Sequence, residues 1–238
     1  VFADRTEAGR LLARQLEHLR GQDVVVLGLP RGGVPVAAEV ARALGAPLDV
    51  IVVRKLGLPW HRELAMGAIG EGGAVVLDEE VLASSRVSDD GLAEVERAEQ
   101  AELARRVALL RRGRNRVDLT GRVVVLVDDG IATGSTMRAA CEVARSLGAS
   151  RVVVAVPVAP AGMRRQLPVA DELVCVREPA RLRSVGEHYR DFSQTSEEDV
   201  VALLDSTAAR PSVPARGAGQ GAGPGDDLPG PRSATMLG

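Results

Sequence analysis

The stretch Val123 to Thr136, VVVLVDDGIATGST, constrains this chain more than any other segment. Its five leading residues, Val123 to Val127, are apolar and mostly β-branched, the pattern of a strand buried on both faces of a parallel sheet. Two adjacent carboxylates, Asp128 and Asp129, stand where that strand must end. Gly130, Ile131 and Ala132 follow, then the hydroxyl-rich turn Thr133-Gly134-Ser135-Thr136, then a helical pattern from Met137 to Leu147. A strand that turns into a helix in this way presents an anion site, because the first backbone N–H groups and the helix dipole point at the same spot. Thr133, Ser135 and Thr136 add hydroxyl donors, and Gly134 lets the backbone approach a phosphate closely. The acidic pair suits vicinal hydroxyls or a hydrated magnesium ion. A ligand with a phosphate at one end and a polyol beside it satisfies both halves.

The spacing excludes three rival readings. A P-loop requires a Gly-Lys-Ser/Thr ending, and no lysine is present here. A nucleophile elbow requires glycines where Thr133 and Met137 stand. An Asp-x-Asp phosphatase requires an acid at Gly130. An ordinary capped junction needs one acid and no hydroxyl cluster.

Along the chain, strands alternate with helices, which predicts a central, mostly parallel sheet flanked by helices with right-handed crossovers. An amphipathic helix is expected over Thr6 to Arg20, then strands over Asp23 to Leu29 and Leu48 to Val53 around a helix with Pro35 in its first turn, ending near Leu44. Arg54 to Gly73 reads as a long loop with a short strand near Ala65 to Ile69. That strand and Ala74 to Leu77 form a hairpin closed by Glu71-Gly72-Gly73. Ser88 to Arg112 is a long charged helix whose stripe of Leu92, Val95, Leu103, Val107 and Leu110 packs on a sheet face or joins an oligomer contact. Its basic end, Arg111 to Arg116, reads as a solvated helix terminus complementing the dipole. Strands over Arg151 to Val156 and Glu172 to Val176 flank a short helix at Ala161 to Leu167. Ligands of such sheets bind at the carboxyl ends of the strands. One domain over residues 1–205 and a disordered Gly/Pro-rich tail over 206–238 are expected.

The net charge of −2 gives no electrostatic footprint for nucleic acid. No apolar run approaches the length of a membrane helix, and no secretory leader pattern precedes the first helix. Cys141 and Cys175 read as buried free thiols of a reducing cytoplasm, not as a disulfide. Of 30 Lys plus Arg residues, Lys55 is the single lysine. It is either a compositional accident or a place where a compact ammonium is required.

A second loop, Leu29-Pro30-Arg31-Gly32-Gly33, leaves the first strand as a backbone nest with an arginine beside it. Together, the two loops resemble those of the type I phosphoribosyltransferases, whose ribose-5-phosphate motif is an apolar strand, two acids, a short apolar spacer and Thr-Gly-Gly/Ser-Thr/Ser. Nearly all of residues 1–205 is similar to a bacterial group of that family with undetermined acceptor. The likeness covers Asp4-Arg5 and Ala8-Gly9, Leu27 to Gly33, Val53-Arg54-Lys55, Gly67 to Gly73, Ala155 to Val158 and His188-Tyr189-Arg190-Asp191-Phe192.

The resemblance implies a type I phosphoribosyltransferase-like α/β fold with a flexible hood loop at Lys55 to Glu71. It implies transfer of the 5-phosphoribosyl group from phosphoribosyl pyrophosphate to a nitrogen acceptor, with magnesium as cofactor held mainly by substrate and water and no direct metal ligand in the protein. Asp128, Asp129, Lys55 and Arg31 become the catalytic candidates. Ala132, Thr133, Gly134, Ser135 and Thr136, with the acidic pair, are expected to hold the 5-phosphate and ribose; Arg31, Gly32, Gly33, Lys55 and His61 are expected to hold pyrophosphate. Arg62 is a further basic candidate in the hood, and His61 is equally well an exposed loop histidine. The family often has a non-proline cis peptide at the first loop, so the Pro30–Arg31 or Arg31–Gly32 bond is expected to carry it. Where 6-oxopurine enzymes have a basic aspartate, this chain has Ala132, and the glutamate-bearing hood motif of adenine enzymes is not evident. Trp60, Tyr189, Phe192 or an arginine face would have to stack a base. The expected partners are phosphoribosyl pyrophosphate and a small nitrogenous acceptor, with no nucleic acid and no membrane; a homodimer stays open. The alternative is a non-enzymatic sensor of phosphoribosyl pyrophosphate on the same fold.

Overall fold

A computed structural model of the chain describes residues 1–208. Two sheets organise it. The central one has five strands, β1 (Val24–Gly28), β2 (Leu48–Val50), β6 (Val123–Val127), β7 (Arg151–Val158) and β8 (Glu172–Arg177), in the order β2-β1-β6-β7-β8. All pairings in it are parallel. The second sheet is antiparallel, β3 (Val53–Leu58), β4 (His61–Gly70) and β5 (Ala74–Leu77).

Burial on both faces explains why the central strands carry unbroken valine runs. Val26 and Val125 enter a core with α1 (Arg5–Gln15), α2 (Gly33–Leu44) and α7 (Glu197–Ala208). Val25, Leu27, Val124 and Leu126 enter another with α5 (Ser135–Ser146) and α6 (Met163–Gln166). Burying residues on both sides removes the polar face that would make an alternating pattern. The expected stripe of α4 (Asp89–Arg111) does pack inward, with Leu103 and Leu110 buried and Leu92, Val95 and Val107 against them. A short helix, α3 (Glu79–Ser85), precedes it and starts at an Asp78 side-chain cap.

Three sequence expectations need correction or completion. The segment that reads as a long loop is two paired strands, β3 and β4, with register shifts after Leu56 and Gly57. Its glycines mask the strand pattern. Gly70, for one, is required by packing, since a Cβ there would lie 2.3 Å from Val143 Cγ1. The hairpin of β4 and β5 around Glu71-Gly72-Gly73 forms as expected. Secondly, Arg111 is not a solvated helix end. It is 6% exposed and forms a buried ion triad with Asp49 on β2 and Glu71 in the β4–β5 turn. Arg114 and Arg116 are also engaged, with Asp205 and the Glu71 carbonyl respectively. Thirdly, α7 has no counterpart among the expected elements; Val200, Val201 and Leu204 are its buried face. It ends at Ala208, and the rest of the expected tail lies outside the described residues.

Among the described residues, no helix is long and apolar enough to cross a membrane. Both cysteines are free thiols; Cys141 is buried and Cys175 half-buried. Loss of water pushes the Cys141 thiol up to about 12. Folded protein at pH 8 is therefore expected to leave Cys141 unmodified by iodoacetamide, and denatured protein to be alkylated within minutes. Mass spectrometry of the Cys141 peptide checks this; equal labelling in both states would contradict its burial.

Candidate functional site

Parallel pairing of β1 with β6 places two loops side by side. Gly28 is in register with Val127, and the Leu29 N–H donates to the Val127 carbonyl at 2.8 Å. Thus the Pro30 to Gly33 loop and the acidic pair leave the sheet at one level. The Pro30–Arg31 peptide is cis. Gly32 and Gly33 are required by contact. A Cβ on Gly32 would lie 2.0 Å from Asp129 Oδ2, and one on Gly33 would lie 2.5 Å from the Val127 carbonyl oxygen. No residue larger than glycine allows the two loops to meet this way.

Asp128 and Asp129 occupy different environments. Asp128 is half-buried, and its Oδ1 accepts the Asp129 N–H at 2.8 Å. Loss of water around the carboxyl group, and then the charge of Asp129, hold Asp128 well above the usual carboxylate range. Burial also raises Asp129, but Arg5 opposes it. Arg5 donates from Nε to Asp129 Oδ2 at 2.9 Å, and its Nη2 lies 2.8 Å from the same oxygen. One carboxylate therefore bonds directly to an arginine, while its neighbour has a backbone hydrogen bond and feels the same arginine only through space.

The hydroxyl turn leads into α5 as the sequence indicates. Gly134 precedes the helix at φ +81°, and no side chain caps its first turn. Ala132, Thr133, Ser135 and Thr136 are exposed, and the Thr133 and Ser135 hydroxyls lie 3.0 Å apart. An uncapped helix start ringed with hydroxyls is suited to an anion.

Two cavities border the arginine and hydroxyl loops, and Asp128 and Asp129 line neither. A cleft of about 1260 Å3 is lined by Pro30, Arg31, Lys55, Thr136 and the inner face of α4. A second, of about 630 Å3, is lined by Lys55, Thr133, Gly134, Ser135 and Arg138. Lys55 lines both. It stands on β3, paired with Ala68 of β4, and shares one cavity lining with Arg31 and the other with Thr133 and Ser135. Its neighbour Arg54 is tied to Glu99 of α4 by Nη2–Oε2 at 2.6 Å, which fastens β3 to the far wall of the larger cleft. His61 is exposed near the β3–β4 turn and lines neither cavity, beside Trp60, which is 63% exposed. The side chain of Arg62, the other basic candidate of the hood, lies outside the described residues.

Two roles escape the sequence. Arg5 lies within the Asp4-Arg5 pair of the resemblance, but nothing local ties it to a residue 124 positions away. Tyr189, expected as a stacking surface, is buried instead. Its ring packs at 5.3 Å from that of Phe2, and its hydroxyl donates to the Asp129 carbonyl at 2.6 Å. Phe192 is partly exposed, with the Arg5 guanidinium 4.0 Å from its ring centroid. Among the described residues, no group of three or more His, Cys, Asp or Glu is placed to hold a metal ion.

The family model described as the phosphoribosyl transferase domain matches residues 5–180. Two Mycobacterium tuberculosis proteins, from strains CDC 1551 / Oshkosh and H37Rv and each provisionally named a phosphoribosyl transferase, are 55% identical over 206 residues. The alignment covers 86% of this chain and 46% of each relative, so the chain spans about half the length of the curated relatives it matches. The crystal structure of TT1426 from Thermus thermophilus has a TM-score of 0.80 and 46% identity, covering 87% of this chain and 98% of that one.

Proposed function

The chain belongs to the phosphoribosyl transferase domain family, and from that premise we propose that it transfers the 5-phosphoribosyl group of phosphoribosyl pyrophosphate to a nitrogen nucleophile, a nucleobase or an amine. The bond from ribose C1 to the pyrophosphate oxygen breaks, a bond from C1 to nitrogen forms, and the nitrogen loses a proton. The observation that carries this reading is the contact of the acidic pair with the arginine loop, where Asp129 Oδ2 fills the space a Gly32 side chain would need. That contact sets the acidic pair against the arginine loop, which supports reading the two as neighbouring parts of one sugar-phosphate site.

In this reading, Thr133 to Thr136 and the first turn of α5 hold the 5-phosphate. Asp128 and Asp129 hold the ribose hydroxyls and stabilise the positive charge that grows on the ring as pyrophosphate departs. Arg31, Gly32, Gly33 and Lys55 receive the pyrophosphate. Positioning and fixed charge carry the rate, with no covalent intermediate required. Magnesium, held mainly by substrate and water, would supply charge neutralisation for the leaving group.

The test is pyrophosphate release from phosphoribosyl pyrophosphate with magnesium, across a panel of nucleobases and amines. Acceptor-dependent release supports the transferase. Binding of phosphoribosyl pyrophosphate without release for any acceptor favours the sensor, and absence of binding removes both.

Lys55→Arg then separates a point charge from a planar one. The substitution keeps the charge but not the compact ammonium at the junction of the two cavities. We expect kcat/KM for phosphoribosyl pyrophosphate to fall at least about tenfold, or about 1.4 kcal/mol, with little change in melting temperature. Parental kinetics would make the lone lysine a compositional accident.

A further inference from the structure

Arg5 is held on every side. Its Nε and Nη2 both reach Asp129 Oδ2, its Nη1 donates to the Ser193 carbonyl at 2.7 Å, and its guanidinium stacks on Phe192. The Arg5 and Asp129 side chains are only 12% and 14% exposed. The backbone on either side is fastened as well. The Phe2 N–H donates to the His188 carbonyl at 2.7 Å, and the N–H groups of Arg190 and Asp191 return to the Phe2 and Ala3 carbonyls at 2.8 and 2.9 Å. The Tyr189 hydroxyl holds the Asp129 carbonyl from the same strap. Residues 2–5 and 188–193 thus form a two-stranded strap whose Arg5 guanidinium rests on Asp129. That guanidinium also borders the arginine loop, since a Cβ added at Gly32 would lie 3.4 Å from Arg5 Nη2.

We propose that Arg5 is a positioning residue that fixes the Asp129 carboxylate for the ribose hydroxyls, so that the polyol half of the site is set before the ligand arrives. This rests on the phosphoribosyl reading of the site. A mere counter-ion needs only a positive charge, which lysine supplies. A positioning role needs the planar fork, its third bond to Ser193 and the stacked ring, none of which lysine reproduces.

The two roles separate by ligand. Ribose 5-phosphate needs Asp129, whereas inorganic pyrophosphate needs the arginine loop. Calorimetric titration of each ligand with magnesium into the parent, Arg5→Lys and Phe192→Leu proteins provides the test. The dissociation constant for ribose 5-phosphate is expected to rise at least about tenfold in Arg5→Lys and about threefold in Phe192→Leu, and that for pyrophosphate to rise far less. The Phe192 ring is 37% exposed, so its replacement keeps the fold even where Arg5→Lys does not. Parental affinity for ribose 5-phosphate in both variants, or equal weakening of both ligands, overturns the positioning role and leaves the phosphoribosyl reading standing. A parent protein that binds neither ligand removes that reading, and the positioning role falls with it.

Discussion

Asp128→Asn is expected to lower turnover by about 10²–10³-fold, the scale of one preorganised electrostatic contact, while raising thermal stability at neutral and alkaline pH. Both effects follow from one environment. Water is largely excluded from the Asp128 carboxyl, Asp129 lies beside it, and Arg5 directs its bonds to Asp129. Ionising Asp128 is therefore costly in the folded protein, and its folded pKa is raised. For an acid raised in this way, stability is fully present below the unfolded value of about 3.9. It is lost progressively as pH rises toward and through the folded value. Asparagine does not ionise and keeps an Oδ1 to accept the Asp129 N–H, so the variant escapes that loss. Its melting temperature should match or trail the parent near pH 4 and exceed it by pH 8. Parallel melting curves against pH would show that Asp128 carries no such penalty, and near-parental turnover would remove it from the reaction.

Arg111→Met is expected to destabilise the fold by about 3–5 kcal/mol, because removing one member of a buried ion cluster leaves the others uncompensated. That corresponds to roughly 10 °C or more for a chain of this size. Arg111 Nη1 lies 3.0 and 3.2 Å from the two Asp49 oxygens, and Nη2 reaches Glu71 Oε1 at 2.7 Å and the Val50 carbonyl at 3.2 Å. Burial alone would favour the neutral guanidine, but the Glu71 bonds and the Asp49 charge outweigh it and raise the Arg111 pKa. The cluster joins three distant segments: edge strand β2, the β4–β5 turn and the end of α4. Adding Asp49→Asn and Glu71→Gln to Arg111→Met should recover at least half of the loss, since the stranded charges are then gone. Denaturant unfolding measures both; a single-variant loss below about 1 kcal/mol would mean that the triad is solvated after all.

The legible parts of this chain are those whose signal is local. Valine runs, caps and turn residues act within a few positions, so the parallel strands, α2, α4 and the loop from Asp128 to Thr136 can be read directly. The hairpin of β3 and β4 cannot. Its glycines look like loop residues in sequence, and only the approach of Val143 to Gly70 explains one of them. Arg111 fails for a similar reason. A basic run at a helix end is solvated unless acids arrive from elsewhere, and Asp49 and Glu71 arrive from 62 and 40 positions away.

The sequence by itself determined the chemistry offered at each strand end: two acids, three hydroxyls, an arginine with two glycines and one lysine. These are choices of residue type, and each is written within one loop or strand. Only the tertiary structure decided how those groups divide the work. Strand order set β1 against β6 and pressed Gly32 onto Asp129; the second sheet brought Lys55 to the lining of both cavities; the closing strap delivered the bonds of Arg5 to one carboxylate and only its more distant charge to the other. Charge and exposure depend on what approaches through space, and side chains this far apart in sequence leave no periodic trace of their meeting.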